Sequence, residues 1–268
     1  MKRRPKILVI TGYGLNCEEE TKYAFDLAGG QSDIIHINDC ISRTNILDHY
    51  QVVAIPGGFS YGDDTGSGNA FAFKIRNHMW DAIVKFVEKD HLVIGICNGC
   101  QILVNVGLIP AIGGAYGVRQ VALLPNDNAR YTVRWTDLRV CSDSPWLRDI
   151  DKLSLPIAHG EGKFFAERTV LANLLKHEQI ALRYTKGDIC DRTGLSPNPT
   201  GTVDDIAAIT DGSKRILGMM PHPERAIDFH QLPQWTIVQE EYLRKGMSIP
   251  SHGPGFDIFV NAINYFQK

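Results

Sequence analysis

No apolar run in the 268-residue sequence approaches the ~18 residues of a membrane-spanning helix. The formal net charge of −2 gives no electrostatic reason to expect a nucleic acid or an anionic membrane as a partner. Cysteine is sparse: six thiols, at 17, 40, 97, 100, 141 and 190, are spread along the chain rather than packed into a disulfide framework, which favours reduced thiols in a cytoplasmic protein. The basic start, Met1-Lys-Arg-Arg-Pro5, precedes an apolar stretch (Lys6 to Thr11) too short for a signal-peptide core, with no small-residue cleavage site after it. There is no Gly-Lys-Ser/Thr ending for a phosphate loop and no Gly-x-Gly-x-x-Gly directly after a strand. Internal repeats, low-complexity segments and an obvious linker are also missing. Apolar content of 44% and charged content of 22% are ordinary for a globular protein, so the reading is one domain over residues 1–268.

What is present is organised around His91-Leu-Val-Ile-Gly-Ile-Cys97-Asn-Gly-Cys100-Gln101. Leu92 to Ile96 reads as a buried parallel strand, and Gln101 to Val106 as the start of a helix. Between them Gly95-Ile96-Cys97-Asn98-Gly99 has the form of the strand-turn-helix elbow that lifts a nucleophile clear of a sheet, here with a thiol. A helix start favours the thiolate, the reactive form. Two other readings stand beside it. Cys97 and Cys100 form Cys-x-x-Cys, which suits a redox pair, and many cysteines are simply small buried hydrophobes. Zinc is disfavoured because no second Cys-x-x-Cys exists; the reading is no metal.

Upstream, Lys6 to Gly12, Ser32 to Ile37 and Gln51 to Pro56 read as strands. They are separated by a helix running from an Asn16 cap through Glu18-Glu19-Glu20 to Ala28. Cys17 lacks the elbow context and is read as structural. Gly57-Gly58-Phe59-Ser60-Tyr61-Gly62-Asp63 bares backbone N–H groups at a strand end, a use fitting an oxyanion hole. Asn69 to Asp90 reads as one long helix. This alternation predicts a parallel sheet covered on both faces, with the active site at the strand C-termini, where the Gly57-Gly58 loop and Cys97 both fall.

Downstream the pattern changes. Arg130 to Cys141, Leu153 to His159 and Ile180 to Tyr184 predict an added antiparallel section. Asp205 to Thr210 and Arg215 to Met220 flank an Asp211-Gly212 hairpin signal. Asp188 to Asp191 reads as loop, Gln231 to Ser251 as a surface excursion, lid or partner-facing insertion, and Phe256 to Phe266 as a closing helix. In Met220-Pro221-His222-Pro223-Glu224-Arg225 the prolines stiffen the backbone around His222. Glu224 stands two residues on, able to fix the ring's tautomer: the base and orienter of a triad in the order Cys97, His222, Glu224.

Four segments in this order, Gly57 to Asp63, Gly95 to Gln101, Ala158-His-Gly-Glu-Gly162 and Met220 to Arg225, resemble the glutaminase subunits of phosphoribosylformylglycinamidine synthase, a family of class I glutamine amidotransferases in purine biosynthesis. Pro197-Asn-Pro-Thr-Gly201 resembles a further segment of that family. The resemblance implies that Cys97 attacks the glutamine amide, that His222 and Glu224 move and orient protons, that N–H groups near Gly58-Phe59 and at Asn98 form the oxyanion hole, and that Gln101 helps hold glutamine. It gives His159 no physical role. It further implies ammonia transfer to a separate synthetase subunit carrying ATP and Mg, with a small assembly subunit assisting and no cofactor in this chain. Asp64-Thr65-Gly66-Ser67-Gly68 departs from the small-subunit pattern toward the fused long-chain forms, and Phe229 to Ser251 is longer than expected. Rival readings are another class I amidotransferase, a redox protein using Cys97 and Cys100, and a binding module with a dead site.

Overall fold

The computed structural model of the chain describes residues 4–267, so the basic Met1–Arg3 start lies outside the described residues. The first half alternates: β1 (Lys6–Thr11), α1 (Glu18–Leu27), β2 (Gln31–His36), α2 (Ile37–Ser42), β3 (Val52–Ile55), α3 (Asn69–His78), α4 (Trp80–Glu88), β4 (Leu92–Ile96) and α5 (Asn98–Val106). The second half holds β5 (Ala122–Leu124), β6 (Thr132–Val140), β7 (Lys152–His159), β8 (Lys163–Phe165), α6 (Arg168–Lys176), β9 (Ile180–Tyr184), α7 (Asp188–Thr193), β10 (Ile206–Thr210), β11 (Ile216–Met219), α8 (Trp235–Arg244) and α9 (Phe256–Tyr265).

Nine strands form one sheet in the order β2-β1-β3-β4-β11-β10-β9-β6-β7, and β5 pairs with β8 in a separate two-stranded sheet. From β2 to β11 all neighbours are parallel. From β11 to β7 all are antiparallel. The predicted parallel core and added antiparallel section are thus one continuous sheet. Strands β3 and β4 are buried at every residue, as expected where helices cover both faces. The path from β1 to β2 runs one way across the sheet and that from β3 to β4 the other. Right-handed crossovers therefore put α1 and the α3–α4 pair on opposite faces. Helix α9 packs on α1, with the Phe25 and Phe259 rings edge to face at 4.8 Å. Such a pair contributes about 0.5–1.5 kcal/mol beyond its buried area.

Several local expectations are corrected. The long helix over Asn69 to Asp90 breaks at Met79 (φ −129°, ψ 2°). The Met79 N–H closes α3 on the Ile75 carbonyl (2.8 Å) and its own carbonyl accepts Ile83 N–H (2.9 Å) to open α4. This bend lets both apolar faces, with Phe71 and Ile75 on one helix and Ile83 and Phe86 on the next, reach the core. Asn16 does not cap α1. Its N–H crosses to the Gly57 carbonyl (3.1 Å), and Cys17 takes the cap position without a side-chain bond. Asp188 to Asp191 is helical rather than loop. The Asp137 carboxylate, from β6, receives the N–H groups of Ile189 (3.3 Å) and Cys190 (3.0 Å), satisfying donors that a helix start otherwise leaves free. The excursion over Gln231 to Ser251 carries α8, none of whose residues is buried. With β6 and β7 it walls a groove of about 810 Å³ lined by Leu138, Leu153, Phe229, Val238 and Tyr242, and Cys97 is not among its lining residues.

Candidate active site

The strand order reverses beside β1, and there the loops after β1 and β3 are stitched together. Leu15 bridges Gly58, and Asn16 and Cys17 both donate to the Gly57 carbonyl (3.1 and 3.2 Å). Ligand sites of open α/β sheets lie at such switch points. The elbow after β4 sits beside them. Cys97 has φ 51° and ψ −105°, a backbone strain of about 1–3 kcal/mol for a residue with a side chain. Its flanks need glycine. A Cβ on Gly95 would stand 2.5 Å from the Gly99 carbonyl oxygen, and one on Gly99 would stand 1.9 Å from that of Ile55. The turn is pinned by Cys97 N–H to the Met219 carbonyl (2.8 Å).

β11 lies parallel to β4, so its tail delivers His222 to the same place. His222 N–H is held by the Pro156 carbonyl (2.8 Å). Its Nδ1 meets Glu224 Oε1 at 2.5 Å, with both side chains essentially inaccessible (1% and 0% exposed). Burial by itself pushes the imidazolium toward losing its proton. The Glu224 carboxylate, then the Cys97 and Cys17 thiols, outweigh this and hold the His222 pKa well above its ordinary value of 6.5. Nε2 has no geometrically complete hydrogen bond and is free for a reacting group. Cys97, His222 and Glu224, 120-odd residues apart in the chain, are therefore brought together. Cys97 Sγ also lies 3.7 Å from the Ala158 carbonyl at the end of β7.

The loop after β3 is fastened to α5 by side chains. Asn98 Oδ1 accepts from Ser60 N–H (3.2 Å), and its Nδ2 donates to Asp63 (3.1 Å) and to Gln101 Oε1 (2.8 Å). Gln101 Nε2 donates to the Glu161 carbonyl (2.6 Å). Gln101 thus spends its amide nitrogen on tying α5 to the Gly160–Gly162 turn and its amide oxygen on Asn98 within α5. Burial raises the Asp63 pKa, against the hydrogen bonds it accepts from Gly68, Asn98 and Ser67. Asp63 and Glu161 belong to this network; the contacts that tie them into it, from Asn98 to Asp63 and from Ser67 and Gln101 to Glu161, come from far along the chain. Phe59 requires a correction: its N–H is already donated to the Gly14 carbonyl (2.7 Å) and is not free for an oxyanion. At Gly58, φ is 150° and a Cβ would lie 2.4 Å from Gly14 O, so only glycine fits.

Two thiols are placed differently from one another. Cys100 is fully buried against Gly218, where a Cβ would come within 3.0 Å of its Sγ, and burial raises its pKa well above the usual thiol range. It is a packed thiol. Cys17, expected to be structural, is instead in the site. Its Sγ receives Arg225 Nη2 at 2.9 Å, and it forms with His222 and Glu224 a group whose ligand atoms lie within 4.8 Å of one another. The Arg225 guanidinium already supplies positive charge there, which disfavours a metal ion. In the sequence Cys17 stands near a helix start, which could suit a second reactive thiol, but its place in the site comes from the strand order.

This arrangement matches known proteins over nearly its whole length. A model of the CobB/CobQ-like glutamine amidotransferase domain matches residues 4–266. The phosphoribosylformylglycinamidine synthase subunit PurQ of Methanococcus maripaludis is 42% identical over 270 residues, covering 98% of each chain. The PurQ subunit of Dehalococcoides mccartyi is 38% identical over 265 residues, again 98% of each. Among solved structures, a chain of PurLQS from Thermotoga maritima superposes with a TM-score of 0.71 at 28% identity, covering 98% of this chain and 99% of that one. A glutamine amidotransferase from the same organism, at 15% identity and TM-score 0.53 over 99% and 100% of the two chains, shares the fold alone. The chain belongs to the CobB/CobQ-like glutamine amidotransferases, in the branch that holds the PurQ subunits of phosphoribosylformylglycinamidine synthase.

Proposed function

We propose that Cys97, His222 and Glu224 carry out the reaction of a glutaminase subunit, which hydrolyses glutamine to glutamate and ammonia for the synthetase that makes formylglycinamidine ribonucleotide in purine biosynthesis. The observation that carries the assignment of residues is His222, buried between the Glu224 carboxylate at 2.5 Å and the strained Cys97 elbow. An imidazolium so held pairs with a Cys97 thiolate. The thiolate adds to the side-chain carboxamide of glutamine. The oxyanion is met by the N–H groups of Gly58 and Asn98, either of which is worth about 10²–10³ in rate. His222 gives its proton to the leaving nitrogen, the C–N bond breaks, and a glutamyl thioester remains. Water, deprotonated by His222, then adds to the thioester; the C–S bond breaks and glutamate leaves. Asn98 and Gln101 set the position of the oxyanion loop, and Gln101 borders the glutamine site.

The partners are glutamine, a synthetase subunit and a small assembly subunit; ATP and Mg belong to the synthetase and no cofactor to this chain. All six cysteines are free, which suits a reducing cytoplasm. The test is reconstitution with the two partner subunits, formylglycinamide ribonucleotide, ATP and glutamine. Amidine formation should depend on glutamine, disappear with Cys97→Ala, and return in that variant when ammonium chloride replaces glutamine. Glutamine hydrolysis without amidine, or full activity in Cys97→Ala, would overturn the reading.

A further inference from the structure

Beside the triad stands a contact that the mechanism does not use. Arg225 follows Glu224 directly in the chain, and its guanidinium faces two acceptors. Nη2 donates to Cys17 Sγ at 2.9 Å. Nε stands 3.9 Å from Glu224 Oε1, outside hydrogen-bond reach. That same Oε1 is 2.5 Å from His222 Nδ1, and the second carboxylate oxygen, Oε2, is buried without a hydrogen-bond partner. An arginine beside a carboxylate commonly closes on it through two parallel N–H bonds. Here one oxygen is taken by the histidine, the other is open, and the guanidinium is turned to a sulfur instead.

Cys17 is held firmly enough to anchor that guanidinium. It opens α1, where its carbonyl accepts from Thr21 N–H (3.1 Å) and from Thr21 Oγ1 (2.7 Å). Its own N–H goes to the Gly57 carbonyl (3.2 Å). The thiol donates to Asn16 Oδ1 (3.5 Å), which leaves the sulfur lone pairs for Arg225. A Cβ on Gly57 would stand 2.8 Å from His222 Cε1 and 3.4 Å from Cys17 Sγ, so bare backbone lets the ring and the sulfur share one side of the loop. Cys17 is 1% exposed, whereas the Arg225 side chain is 40% exposed. The thiol is the fixed part of this contact and the guanidinium the movable part.

We infer that Cys17 is a positioning residue: by holding the Arg225 guanidinium it keeps the Glu224 carboxylate for His222 alone. This rests on the glutaminase reading above. Glu224 orients the imidazole through Oε1 and stabilises the imidazolium. A guanidinium closed on both carboxylate oxygens would neutralise the charge that His222 needs and draw Oε1 out of line with Nδ1. Arg225 has only a short way to go, since Nε already stands 3.9 Å from Oε1 and Oε2 is open to it. The bond to sulfur is what holds it back. Cys17 acts through Arg225 and takes no part in making or breaking bonds.

The test is a double-mutant cycle on glutamate release, run in the chain assembled with its partner subunits, with Cys17→Ala, Arg225→Gln, the two together, and Cys17→Ser. In Cys17→Ala, kcat should fall by about 10- to 100-fold, the size expected when a reacting group is misplaced by about 1 Å, with KM for glutamine within about twofold. In the Arg225→Gln background the same Cys17→Ala change should cost less than about twofold, because no guanidinium remains to close on Glu224. Cys17→Ser, whose hydroxyl accepts from Arg225 and donates to Asn16, should recover most of the rate. A Cys17→Ala loss of equal size in both backgrounds, as damage to packing or to the start of α1 would give, overturns the proposal. So does an unchanged kcat in Cys17→Ala, a serine variant no better than alanine, or a loss confined to KM. A wild-type chain that turns over glutamine with no thioester on Cys97, by quenched-flow mass spectrometry, would overturn the underlying reading, and the proposal with it.

Discussion

Glu224→Gln removes a charge while keeping the shape of the side chain. In the structure the carboxylate is inaccessible and 2.5 Å from His222 Nδ1. With charge centres about 4 Å apart and an effective dielectric of about 20, its attraction for the imidazolium is about 4 kcal/mol. That is about three decades in rate if the imidazolium develops fully in the transition state. Removing the carboxylate of a comparable triad, while leaving geometry intact, costs about 10⁴. The expected loss in kcat is therefore about 10³ to 10⁴, with KM for glutamine within a few-fold. The sign of the pH effect also follows. Glu224 is the main influence holding His222 above its ordinary value against burial, so without it the alkaline limb of the pH profile, where the imidazolium loses its proton, moves to lower pH. Steady-state glutamate release from pH 5 to 9, with a thermal melt confirming folding, reads both. A variant with kcat within tenfold of wild type, or an alkaline limb moved upward, would refute the reasoning.

Gly99→Ala puts a Cβ 1.9 Å from a backbone oxygen that has no rotamer to yield. A loss of about 3 kcal/mol in stability and about 10² in kcat is expected, by thermal melt and glutaminase assay. Cys100→Ala, by contrast, should cost only about 1 kcal/mol and leave kcat within about twofold; an equal loss to that of Cys97→Ala would revive the redox reading. For His159 the folded pKa is depressed to about 3 from 6.5, so the unfolded chain takes up its proton first on acidification. Its contribution is fully present above about pH 6.5 and is lost as pH falls toward 3, with a slope of about 1.4 kcal/mol per pH unit. Urea midpoints across that range should show the slope in wild type and its reduction in His159→Phe. His222, with a raised folded value, has the opposite sign: its contribution is full below 6.5 and is lost as pH rises through the folded value.

The parts of the site legible from sequence are those written in local chain geometry. Gly95 and Gly99 around Cys97 announce a tight strand-to-helix turn, and the structure has it. His222 and Glu224 stand two residues apart at a strand end between prolines, and they do pair. What escaped is set by contacts between distant segments. Cys17 enters the site because β1 and β3 are neighbours, and its cap position was misread as Asn16 because the competing acceptor, the Gly57 carbonyl, is 40 residues away. The same cross-connection uses up the Phe59 N–H. Helix α7 has no local start signal, because the carboxylate that receives its first N–H groups, Asp137, comes from another strand. The break at Met79 was invisible because apolar spacing continues through it; the bend follows from where the two faces must go.

The most direct test of the central claim is covalent labelling with a glutamine-like diazoketone, mapped by peptide mass spectrometry in wild type and Cys97→Ala. One adduct per chain on Cys97, blocked by excess glutamine and absent from the variant, is the predicted result. Adducts on Cys17 or Cys100 instead, or labelling that glutamine does not block, would contradict it.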